Sequence, residues 1–112
     1  MAERRVDGAV LTQLAVDLGA EHAAEICRLF LERASTEVQT VGAALDVGDT
    51  AGAARSAHRL KSASGFVGAT VLATLCAEVE AGAPTPALAH LLVDELKQTA
   101  VELEHTVQRL AD

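Results

Sequence analysis

The chain has 112 residues, about one domain's worth, with 9 Lys plus Arg against 16 Asp plus Glu and a formal charge of −7. That balance excludes a general binder of phosphate backbones, so nucleic acid is not an expected partner. Half of the residues are apolar but the only aromatics are two Phe, so the core has to be built from Leu, Val, Ile and Ala in closely packed helices. Leu11, Leu14 and Leu18 are spaced three and four apart and stop at Gly19, which predicts a short helix over about residues 7–18. Cys27, Phe30, Leu31, Ala34, Val38, Val41 and Leu45 keep the same rhythm, giving a long amphipathic helix over about 20–47. After the break at 47–50, where Asp49 or Thr50 can cap, a third helix runs over about 51–67, with Gly68 and Thr70 marking the next turn. Leu72, Leu75, Cys76 and Val79 define a fourth helix ended by Gly82. Thr85 can cap the last helix and Pro86 suits its first position.

This last helix runs to about residue 110. Leu88, Leu92, Leu96, Leu103, Val107 and Leu110 form its apolar stripe, with Glu95, Lys97, Glu102, Glu104 and Arg109 on the wet side. No β-type alternation or hairpin signal occurs. The expectation is a single domain over residues 1–112, all-α: an antiparallel four-helix bundle with a short additional N-terminal helix. Cys27 and Cys76 read as buried free thiols rather than a disulfide framework. No apolar run approaches about 18 residues and no h-region follows the start, so a soluble, cytoplasmic protein without direct membrane contact is expected, monomeric by default.

The third helix carries the chemistry. At about 100° per residue, Ala54, Ser62, Gly65 and Ala69 fall within roughly 40° of His58, and Lys61 and Arg55 lie about 60° away. Ala53, Ala57, Leu60, Ser64 and Val67 occupy the opposite, buried face, so His58 should point to solvent with little bulk around it. Phe66 lies about 80° from His58, placed either to join a small apolar patch or to be partly buried. His22, His90 and His105 have no comparable setting and read as surface residues.

The segment Ala57-His58-Arg59-Leu60-Lys61-Ser62-Ala63-Ser64, then Gly68-Ala69, then Leu75-Cys76-Ala77-Glu78-Val79-Glu80, resembles the histidine-containing phosphotransfer (HPt) domain of multistep two-component phosphorelays. The resemblance implies that His58 accepts a phosphoryl group from a receiver-domain aspartate and passes it to another receiver. It implies that Lys61 neutralises the phosphate, and that response-regulator receivers and a hybrid sensor kinase are the partners. Nucleophilic attack asks for a neutral ring nitrogen, room for in-line approach and positive charge nearby. Ser62 stands where the family most often has glycine, small enough to keep access. Ala54, Arg55, Gly65, Gly68 and Ala69 are the expected docking residues, with Arg59 a further candidate. No cofactor or metal is expected on this chain, because no carboxylates cluster around His58; Mg²⁺ would belong to the receiver.

Competing chemistry lacks its residues. Glu102 and His105 make one Glu-x-x-His pair without the second that a bundle metal site needs. There is no Gly-x-Ser-x-Gly, no His-Glu-x-x-His and no Gly-rich phosphate loop, so autonomous kinase activity is not expected. The alternative is a non-catalytic docking or dimerisation module that binds response regulators or kinases.

Overall fold

Carboxylate caps and glycine turns set the helix limits. In the computed structural model, which describes residues 4–82 and 86–111, Asp7 accepts the Ala9 N–H and opens α1 (Gly8–Leu18). Gly19, at φ 90°, turns the chain directly into α2 (Ala20–Asp46). Asp49 caps α3 (Thr50–Val67) by accepting the Gly52 N–H at 2.8 Å. Thr50 is therefore the first helical residue, and Thr70 likewise opens α4 (Thr70–Glu80) instead of lying in the preceding turn. The last helix, α5 (Pro86–Ala111), starts at the proline. The cap expected from Thr85 lies outside the described residues.

Connections as short as 47–49 and 68–69 force successive helices to run antiparallel. α2 packs on α3 and α5, and α4 on α3 and α5, so the four close a ring; α1 leans mainly on α2. The fold is all-α, as the apolar stripes imply. Leu11, Leu60, Leu72, Leu92 and Leu103 are fully buried, and Ala34, Ala53 and Ala57 in the same cluster allow close helix approach. Each fully buried leucine contributes about 1.5–3 kcal/mol of transfer free energy. Among the described residues, no helix is long and apolar enough to cross a membrane.

Three stripe assignments change. Leu18 is 47% exposed, as the last residue of α1 before the chain turns at Gly19. Glu95 and Glu102, placed on the wet side of α5, are buried and half-buried. The cause is the segment before α1, which crosses the corner between α3 and α4, where Val6 pairs with Ala69 in one antiparallel bridge. Glu102 accepts the Val6 N–H at 3.1 Å, and Glu95 takes Arg5 Nε and the Thr99 hydroxyl. A carboxylate so removed from water needs such partners.

Cys27 and Cys76 are buried free thiols. Burial pushes both thiols up, Cys76 to about 12 with the Glu80 charge adding to the effect. Iodoacetamide at mildly alkaline pH is therefore expected to label neither cysteine in the folded protein and both in denaturant, with native labelling slower by roughly a hundredfold or more. Labelling of native protein at the free-thiol rate would contradict this burial.

Candidate functional site

α3 carries the site because its inner face, built of alanines, serines, one leucine and one valine, packs into the bundle. Ala53, Ser56, Ala57, Leu60, Ser64 and Val67 are all buried. That registers the outer face, and the His58 side chain is 67% exposed there. His22, His90 and His105 are also exposed.

α4 supplies what the sequence reading missed. Running back along α3 from the corner at 68–69, it brings its last residue, Glu80, beside His58. Glu80 Oε1 lies 2.7 Å from His58 Nδ1, and Oε2 accepts a hydrogen bond from Lys61 Nζ at 2.6 Å. Bonding to Lys61, and secondarily to His58, holds the Glu80 carboxyl below the usual glutamate range against the opposing effect of partial burial. An ionised carboxylate only accepts, so Nδ1 must donate, and the lone pair of the neutral ring is left on Nε2. Among the described residues no hydrogen bond reaches Nε2. The ring is thus oriented at one nitrogen and open at the other, with a cation one turn away.

Around the ring, Ser62 and Gly65 are exposed and Ala54 is half-buried. A Cβ built on Gly65 meets nothing within 4 Å, so the surface there is open. The Ser62 hydroxyl makes no hydrogen bond among the described residues. Ala54, Arg55, His58, Arg59 and Glu80 line a shallow hollow on one side of the ring. On the other side a second hollow reaches α2 at Arg33 and Glu37. Glu37 accepts Arg59 Nε at 3.2 Å and also the Ser56 hydroxyl. Burial pushes the Glu37 carboxyl up, but Ser56, Arg59 and Arg33 outweigh it and hold it below its ordinary value. Arg55 is exposed and makes no ion pair among the described residues.

Two expected docking residues do not reach this surface. Gly68 and Ala69 are buried, since α3 ends at Val67 and the chain turns inward through Gly68 at φ 78°. Continuing the helical wheel to residue 69 ignored that turn. Phe66 is 59% exposed, and Leu29 of α2, which the sequence reading did not single out, is 50% exposed. The contacts of Glu37 with Ser56 and Arg59 fix the antiparallel register of α2 and α3, which brings Leu29 level with the last turn of α3 and its Phe66. The expected absence of clustered carboxylates needs qualifying, because one carboxylate, Glu80, does touch the ring. No group of three or more His, Cys, Asp or Glu side chains is placed to hold a metal among the described residues. Glu102 is engaged by Val6, away from any such role.

Comparison with known proteins bears on this geometry. The chain is similar in structure to the histidine-containing phosphotransfer protein B from Pseudomonas aeruginosa PAO1, with a TM-score of 0.87 over 96% of this chain and 98% of that one, at 24% identity. At that identity the likeness speaks for the fold. No curated protein matches the chain in sequence. The profile of the Hpt domain matches residues 25–112, a span that includes His58, Lys61 and Glu80. With that match over most of its length, and an exposed, oriented histidine within the matched segment, the chain belongs to the Hpt domain family.

Proposed function

We propose that the protein is a phosphorelay intermediate in which His58 accepts a phosphoryl group from the phosphoaspartate of one receiver domain and donates it to another. The carrying observation is the ring itself: 67% exposed, tied at Nδ1 to Glu80 and open at Nε2. Attack by Nε2 in line with the aspartyl P–O bond needs no general base, because that nitrogen carries no proton in this tautomer. Lys61, held by Glu80 one helical turn away, supplies positive charge near the arriving phosphoryl group. Mg²⁺ sits in the receiver's acidic pocket, and this domain contributes no cofactor.

Docking uses the α2–α3 face. Leu29 and Phe66 offer exposed apolar area, while Arg33, Arg55 and Arg59 put positive charge around His58 on a chain that is otherwise acidic. An acidic receiver rim is matched by that local excess, which favours encounter and orientation. Gly65, Ser62 and Ala54 leave the approach clear.

The test is phosphoryl transfer from a panel of purified phospho-receivers with Mg²⁺, followed by the stability of the label. Acid-labile, base-stable label on this chain supports the reading and identifies a partner. Receivers that bind the folded domain yet never label it would make it a docking module instead.

A further inference from the structure

We propose that Glu80 keeps the Nδ1 proton on His58 throughout the phosphorylated state, and so keeps the N–P bond easily broken at pH values where a phosphohistidine lacking such a partner becomes inert. The proposal deepens the phosphotransfer reading of His58 and rests on it.

The reasoning starts from the proton count. As the Nε2 lone pair forms the N–P bond, the aspartyl P–O bond breaks and its electron pair leaves with the receiver carboxylate. Nε2 had no proton to lose, so the phosphorylated ring retains Nδ1–H and is a cation. When the phosphoryl group departs to a second carboxylate or to water, the N–P electron pair returns to Nε2. From the cation the leaving group is neutral imidazole. Once Nδ1 has lost its proton the leaving group is an imidazolate, a far stronger base, and the bond persists. The Nδ1 proton therefore sets lability.

Glu80 Oε1, 2.7 Å from Nδ1, is the anion that retains that proton. Other charges face the ring from each packed element. On α3 itself Lys61, Arg55 and Arg59 are cations that oppose the ring's charge; on α4 the buried Cys76 thiol, pushed up to about 12, is neutral. On α2, Glu37 and Arg33 lie beyond Arg59, and Glu37 pairs with it. Glu80 is the acidic group in contact. It also holds Lys61 through its second oxygen, and an arriving phosphoryl group offers Lys61 another anion, leaving Glu80 to the ring. The other histidines provide internal controls. His22 Nδ1 meets only the Leu18 carbonyl oxygen, at 2.9 Å, and no carboxylate bonds to His90 or His105 among the described residues.

The full chain is phosphorylated with phosphoramidate, and each phosphohistidine is followed by ³¹P and ¹⁵N NMR and by its rate of dephosphorylation over a range of about pH 6 to 10. The His58 signal is assigned by its loss in His58→Gln. In wild type, the pH midpoint at which His58 loses lability is expected about one unit or more above that of Glu80→Gln and above those of the other three histidines. Between the two midpoints, wild type should lose its phosphoryl group about tenfold faster than Glu80→Gln. Lys61→Met should move the midpoint up, the opposite direction. Glutamine preserves both volume and a hydrogen-bond acceptor at Nδ1, so a purely structural role would leave the midpoint where it was. Coincident midpoints, or failure of His58 to accept from phosphoramidate while the control histidines do, overturn the proposal. A failed relay reading looks different: no receiver labels His58, yet the Glu80-dependent midpoint remains.

Discussion

Phosphoryl acceptance by His58→Gln is expected to be nil under conditions in which wild type is labelled by its cognate receiver, with binding of the unphosphorylated receiver changed by no more than about twofold. Glutamine fills nearly the same space, and its NH₂ group can still donate to Glu80, so α3 and α4 keep their contact. What disappears is the lone pair, because an amide nitrogen is not a nucleophile. His58 lies on the exposed face of α3, opposite Leu60 and Ala57, so the fold should not feel the change. Radiolabel transfer and calorimetric binding, run on the same preparations, check both halves. Residual label on the variant would move the phosphoryl site to another side chain.

Gly68→Ala should be the costliest of the conservative changes, about 3 kcal/mol or roughly a 10 °C fall in the melting temperature. Gly68 sits at φ 78°, and a Cβ built there comes within 2.8 Å of the Asp7 carbonyl oxygen and 3.1 Å of Val10 Cβ. Left-handed backbone alone costs an L-residue about 1–2 kcal/mol. The clash then falls on backbone rather than on a flexible side chain, and it strikes where Asp7 N–H donates to the Gly68 carbonyl at 2.7 Å. Thermal unfolding followed by circular dichroism measures the loss. Phosphoryl transfer by the molecules that remain folded should be near normal, because His58 lies almost three turns away. An unchanged melting temperature would mean that residues 4–7 are not held at this corner.

The two substitutions mark the limits of what one-dimensional periodicity can carry. Helix stripes on α2 and α3 predicted Cys27, Phe30, Val41, Leu60 and Val67 as core, and all are buried, because burial on one helix follows from its own repeat. Exposure of His58 followed by the same reasoning, as the complement of the buried face. Glu80 escaped it, since its role depends on how far α4 runs back along α3. Yet the information was present. His58 and Glu80 stand at nearly equal distances on either side of the two-residue corner at 68–69, and an antiparallel pair folded there must bring them level. Glu95 and Glu102 are a different case: their burial is caused by residues 5 and 6, some 90 positions earlier, and no pattern within α5 records that contact. Gly68 and Ala69 were misplaced because a wheel drawn past the end of a helix describes nothing.

The length of α4 then acquires a meaning of its own. At 11 residues it measures about 16 Å, close to the rise of α3 from Val67 down to His58. The helix works as a ruler whose final mark is Glu80. Deleting one residue would swing that carboxylate by about 100° and withdraw it by about 1.5 Å, leaving a bundle of ordinary appearance whose histidine has lost its anchor. Adding a turn would lay side chains across the hollow at Ala54 and Arg55 and close the approach to the ring. In this bundle the residue count between the corner and the end of the short helix therefore decides whether the last side chain of that helix reaches the histidine.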